Sequence, residues 1–154
     1  GSEMCIRDRI REKRGLVYGI SSFSSSYTDT GVFGIYCGTG ENQIQELIPV
    51  LCDQLNESPN SITEKEINRG KAQLKASLMM GRESAFRRCE SAARQLLVFD
   101  RIIDPSETIK NIDKVSKETV QKIANEIVKG PITISSIGPL SKLESIDKIQ
   151  NRIN

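Results

Sequence analysis

From Val17 to Thr39 apolar and aromatic residues are interspersed with serine and glycine, and in the second half of the stretch the positions alternate with a period of two. The chain reads Val-Tyr-Gly-Ile-Ser-Ser-Phe-Ser-Ser-Ser, then a polar stretch, then Val-Phe-Gly-Ile-Tyr-Cys-Gly-Thr. Runs rich in Val, Ile, Phe, Tyr and Ser predict two strands, Val17 to Ser26 and Val32 to Thr39, joined as a hairpin by a turn over Tyr27 to Gly31. In the second run Phe33, Ile35 and Cys37 alternate with Val32, Gly34 and Tyr36. One face is therefore apolar and directed at a core, and a glycine on the other leaves room for a close approach.

After the hairpin the period changes to that of a helix. Ile44, Leu47, Ile48, Leu51, Cys52 and Leu55 fall at i, i+3, i+4, i+7 and i+8 spacing, which predicts an amphipathic helix over Glu41 to Glu57, broken by Ser58-Pro59-Asn60-Ser61. Thr63 with Glu66 forms a capping box for a second helix to about Met80, burying Ile67, Leu74 and Leu78, with Gly81 as the interruption. A third helix is expected from Ser84 to Ile103. Its stripe of Cys89, Ala92, Ala93, Leu96 and Leu97 is small enough for close packing on a neighbour, and Asp104-Pro105 ends it.

Ser106 to Ile112 predicts one or two helical turns. Ser116 then caps a helix through Lys129 with Val120, Ile123, Ala124, Ile127 and Val128 inward. Beyond Gly130-Pro131, Ile132 to Ile137 has strand character, and Ser141 to Glu144 is expected to act as the capping box of a last helix. Strands do not alternate with helices, so the fold class is α+β: a small antiparallel sheet of about three strands with helices packed on one face. So small a sheet leaves an edge open to a partner.

Composition narrows the function classes. The 154 residues are of single-domain size, with residues 1–9 read as a tag remnant or irregular start and residues 10–154 as the domain. No apolar run approaches the roughly 20 residues that span a bilayer, so membrane insertion is not expected, and no export-signal pattern is present. A cytoplasmic location is expected, with a periplasmic one as the alternative for a longer parent. The four cysteines are widely spaced, without a C-x-x-C pair, and read as small buried hydrophobes in a reducing compartment. There is no histidine, which removes imidazole metal sites and His-based triads from this chain.

Two motifs invite other readings and do not hold them. Between Arg7 and Arg14 five basic residues are interleaved with Asp8 and Glu12, and the net charge is only +2. A solvated helix end accounts for that better than a nucleic-acid contact. Gly38-Thr39-Gly40 suggests a phosphate loop, but the third glycine of G-x-G-x-x-G would fall at Gln43, so a turn is the simpler reading.

Larger pieces carry a specific resemblance. Arg11-Glu12-Lys13-Arg14-Gly15-Leu16-Val17-Tyr18, then Ser22-Phe23, Asp29-Thr30-Gly31-Val32-Phe33-Gly34-Ile35-Tyr36, Glu83-Ser84 and Ala93-Arg94-Gln95-Leu96-Leu97 together resemble the C-terminal half of zinc peptidases related to pitrilysin and mitochondrial processing peptidase. In that family two halves close around a chamber, and the N-terminal half carries the inverted zinc motif H-x-x-E-H. The C-terminal half supplies an arginine and a tyrosine seven residues apart, matched here by Arg11 and Tyr18.

The resemblance implies the substrate-binding, non-metal-bearing portion of a zinc endopeptidase, inactive alone. Tyr18 would be the oxyanion donor and Arg11 the substrate-positioning cation. It implies no cofactor in this chain, with zinc in the partner half. The implied partners are an N-terminal zinc-bearing half or subunit and a peptide substrate, with a dimer as a further arrangement and no nucleic acid. The segment Met4-Cys5-Ile6-Arg7-Asp8-Arg9 departs from the family's small and apolar lead-in, which predicts a partial reading frame with an altered start. A non-catalytic scaffold subunit of the same fold is the alternative function, ahead of a nucleic-acid-binding module.

Overall fold

The computed structural model describes residues 15–153. Among them the order is β1 (Gly19–Ser26), β2 (Gly31–Gly38), α1 (Ile44–Ser61), α2 (Glu64–Glu83), α3 (Ala85–Phe99), α4 (Pro105–Lys114), α5 (Lys117–Lys129) and α6 (Ile146–Ile153). The fold is α+β, with β1 and β2 paired antiparallel from Gly19 opposite Gly38 to Ser26 opposite Gly31. Within the turn the Tyr27 N–H donates to the Thr30 carbonyl at 2.9 Å, closing the hairpin where the sequence places it.

Contacts divide the chain into two compact units: the described residues up to Ile62 together with those from Val120 onward, and Thr63–Thr119. In the first, one face of the hairpin lies on α1. Leu16, Val17, Leu47 and Val50 form a buried cluster, and Ile20, Ile35, Cys37 and Leu51 pack against it. Ile35 and Cys37 are alternating positions of β2 and Leu47 and Leu51 belong to the α1 stripe, so period-two and period-3.6 patterns meet along one seam, joined by Ile20 of β1, by Leu16 and Val17 just before it, and by Val50. Phe33 shares the Ile35 face but lies toward the hairpin tip and is 37% exposed.

A second cluster joins α1 to α6 through Cys52, Ile149 and Ile153, with Ile48, Leu55, Val128, Ile132, Ile134 and Leu143 around it. Asn56 Nδ2 donates to the Arg152 carbonyl at 2.6 Å, satisfying an end group of α6 that its own helix cannot bond.

Several expected boundaries move, each for a local reason. The Ser58-Pro59-Asn60-Ser61 break does not occur: α1 runs to Ser61, with Pro59 buried inside it. Packing of a buried ring offsets the lost backbone bond. Similarly α2 passes through Gly81 to Glu83, since one helical glycine costs only about 1 kcal/mol. Asp104-Pro105 does not end a long third helix. Helix α3 stops at Phe99, where Asp100 takes a left-handed φ of 54°, and Asp104 instead caps α4, accepting from the Ser106 N–H at 2.7 Å.

The expected third strand over Ile132 to Ile137 is an irregular segment outside any ladder, so the sheet has two strands among the described residues. Its backbone is held by a side chain: the Ile132 N–H donates to Gln150 Oε1 at 2.9 Å, while Ile132 and Ile134 pack on the second cluster. Ser141 to Glu144 is likewise not a capping box. Helix α6 begins at Ile146, and Glu144 turns to Arg152, accepting from Nε at 3.0 Å and Nη2 at 2.9 Å.

Those hydrogen bonds from Arg152 hold the Glu144 carboxyl below the usual glutamate range. Because the folded value is the lower one, the contribution to stability is present above the unfolded pKa of about 4.3 and is lost as pH falls through the folded value. The urea midpoint should therefore decline on acidification below about pH 4.5, and decline less in Glu144→Gln. An identical pH slope in the two proteins would show that the pair contributes nothing.

In the unit Thr63–Thr119, α2 packs on α3 and α4. The Thr63–Glu66 capping box forms as expected, with the Thr63 N–H donating to the Glu66 carboxylate at 2.8 Å and the Glu66 N–H to Thr63 Oγ1 at 3.3 Å. Lys75 pairs with the Asp113 carboxylate, Lys71 donates to the Asp113 carbonyl at 3.0 Å, and Arg101 grips Glu107 through two bonds of 2.8 and 2.7 Å. Its apolar stripes are not buried: Leu74 is 61% exposed and Leu97 87%, and Cys89 and Ala93 are exposed as well. In α5, Ile123 and Ile127 are also exposed, whereas Val120, Ala124 and Val128 are half-buried. Periodicity marks which face suits burial; it does not supply the surface that covers it.

Candidate functional site

The site begins where two consecutive residues go inward. Leu16 and Val17 are 5% and 6% exposed, both against α1. Successive buried residues break strand alternation, and the next residue, Tyr18, is 79% exposed. Its N–H donates to the Gly38 carbonyl at 2.8 Å, although the ladder partner of Gly38 is Gly19. Just before β1 begins, this bond departs from the ladder register and ties the Tyr18 backbone to the end of β2. A buried stem therefore carries an outward phenol.

Beneath that phenol lies the turn after β2. Thr39 Oγ1 donates to the Leu16 carbonyl at 2.6 Å. A Cβ added to Gly40 would stand 2.5 Å from Gln43 Oε1 and at an ordinary contact distance of 3.5 Å from the Tyr18 hydroxyl oxygen, so the hydroxyl lies beside Gly40 and it is the Gln43 side chain that takes up the room the glycine leaves. Gly15, with φ +61°, turns the chain into this segment in the left-handed region. Sequence reasoning singles out Tyr18 and passes over Thr39 and Gln43. Their one signal is a Gly-Thr-Gly turn that follows an apolar strand. Arg11 lies outside the described residues.

The open face of the hairpin carries Phe23, Val32 and Tyr36, which are 51%, 51% and 67% exposed. The room that glycine leaves on this face is taken up by the chain itself. A Cβ on Gly34 would lie 2.3 Å from Cζ of Phe23, its cross-strand partner, so the ring lies flat over the glycine.

Chemically the described residues offer hydrogen-bond donors and no metal cage. No three of their His, Cys, Asp and Glu side chains are grouped to hold an ion. Cys37 and Cys52 are free thiols, and burial pushes both up, away from the thiolate form that ligates metal. Cys89 is exposed, contrary to its expected burial, and Cys5 lies outside the described residues. No helix among the described residues is long and apolar enough to cross a membrane.

Residues 5–74 match the family described as "Peptidase M16 inactive domain". An uncharacterized zinc protease of Rickettsia felis is 32% identical over 84% of this chain and 32% of its own length. A probable mitochondrial-processing peptidase subunit beta of Arabidopsis thaliana is 30% identical over 99% of this chain and 28% of its own. A solved chain from Complex III2 of Candida albicans, Inz-5 bound, superposes with a TM-score of 0.83 at 22% identity, covering 94% of this chain and 35% of that one. The chain spans about a third of the length of the curated relatives it matches. The hairpin lies inside the matched segment, and the chain belongs with the C-terminal inactive domains of the peptidase M16 family, among relatives described as zinc proteases and mitochondrial-processing peptidase subunits.

Proposed function

We propose that this chain is the substrate-binding part of a zinc endopeptidase whose metal is held by a separate N-terminal half or subunit. The residues described here do not fit a zinc ion, and the chain has no histidine, so the ligands belong to that partner. What this chain contributes is hydrogen bonding to the substrate. As a peptide carbonyl is attacked, charge develops on its oxygen, and a phenol O–H fixed beside it donates a bond that strengthens along the reaction. Tyr18 fills that role. Arg11, seven residues upstream, presents a planar fork of donors that orients the substrate backbone. The supporting observation is the outward phenol on a buried stem: an exposed tyrosine whose backbone is anchored costs little to organise when substrate arrives.

The test pairs this chain with a separately expressed half bearing H-x-x-E-H and follows cleavage of an extended peptide. Neither part alone should cleave, and the mixture should. Cleavage by this chain alone would overturn the reading, as would full activity in an assembly carrying both Tyr18→Phe and Arg11→Ala. The matched family's description as inactive is compatible with a second reading as well, a non-catalytic scaffold. Assembly with the metal-bearing half and peptide binding without cleavage would select it.

A further inference from the structure

We propose that Thr39 is the positioning residue for Tyr18, an assignment that rests on Tyr18 acting as the oxyanion donor. A ring that is 79% exposed has little packing of its own to fix its direction, so its placement is set through its backbone. Burial of Leu16 and Val17 anchors that backbone, but apolar contact is non-directional and tolerates rotation. Direction comes from two hydrogen bonds made by consecutive residues. Gly38 accepts the Tyr18 N–H at 2.8 Å, and Thr39 Oγ1 donates to the Leu16 carbonyl at 2.6 Å.

Together they clamp residues 16 and 18 to residues 39 and 38, beyond the end of the ladder at Gly19 and Gly38. In a regular ladder the backbone would make both bonds. The ladder stops at Gly19 and Gly38, and past that end the threonine hydroxyl supplies the bond to the Leu16 carbonyl. Valine has the same shape and no donor, so Thr39→Val removes the bond and leaves the partly buried Leu16 carbonyl without it. Thr39→Ser keeps the hydroxyl.

In the assembled peptidase, Thr39→Val should lower kcat on the order of 10- to 100-fold with KM changed less than about twofold, because a misplaced donor weakens the transition state more than the bound substrate. Thr39→Ser should restore the rate. In a Tyr18→Phe background Thr39→Val should have no further effect on kcat, since there is no hydroxyl left to aim. An equal loss in both backgrounds, or no rescue by serine, would mean that Thr39 only supports the fold and would overturn the assignment.

If Tyr18→Phe leaves cleavage unchanged, the oxyanion reading fails on its own, and amide hydrogen exchange at Tyr18 decides the positioning. Exchange should quicken in Thr39→Val and recover in Thr39→Ser; equal exchange in all three proteins overturns the clamp. Protection at Ile149, in the other cluster, reports whether the variant has kept its fold, and Thr39→Ala serves in its place if Thr39→Val has not.

Discussion

Tyr18→Phe is expected to lower kcat of the assembled peptidase by about 10²-fold, the loss typical when one donor to a developing oxyanion is removed. The substitution deletes one oxygen and keeps the ring. Because the side chain is 79% exposed, folding stability should change by no more than about 0.5 kcal/mol. A fall in kcat is therefore not an unfolding effect, and matching urea midpoints would establish this. In the proposed role the hydrogen bond strengthens as charge develops, so kcat and kcat/KM should fall together while KM moves little. A loss confined to KM would make Tyr18 a uniform binding contact, and an unchanged rate would remove it from the reaction.

Leu47→Ala is expected to destabilise the chain by about 3 kcal/mol, read as a lowered urea midpoint at constant slope. Leu47 is 1% exposed and sits in the cluster with Leu16 and Val17, so truncation opens a cavity beneath the residues that carry Tyr18. In a domain of ordinary stability this is a large fraction of the total. The comparison is Leu97→Ala in α3, where 87% exposure predicts a change within about 0.5 kcal/mol. Equal losses from the two substitutions would mean that the α3 stripe is covered in solution and that burial in this chain is not confined to the seams around α1.

Particular elements explain where sequence reading succeeds. The hairpin, the α1 stripe and the Thr63–Glu66 box depend on residues close in the chain, and each forms where the pattern places it. Errors arise where a local signal has a distant competitor. Ile132 to Ile137 has the composition of a strand, but Gln150 takes its first N–H and the second cluster takes its side chains. Glu144 stands three residues after Ser141 as a capping box requires, yet Arg152 offers a charged fork, and charge-assisted pairs are the stronger bonds. Pro59 breaks no helix because its ring is buried. For the site, Tyr18 is legible by resemblance. Thr39 is not, since its hydroxyl bonds a carbonyl 23 residues away.

By itself the sequence determined the secondary-structure class, the apolar seam between hairpin and first helix, the lack of histidine and the tyrosine within a family pattern. These are properties of spacing and residue type, and they act over a few residues. Only the tertiary structure decided that Leu16 and Val17 both turn inward and Tyr18 outward, that the Tyr18 hydroxyl lies beside Gly40, and which amphipathic faces stay uncovered. Those outcomes depend on which distant groups meet in the folded chain, and hydrogen-bond and packing partners far apart in the chain leave no periodic trace along it.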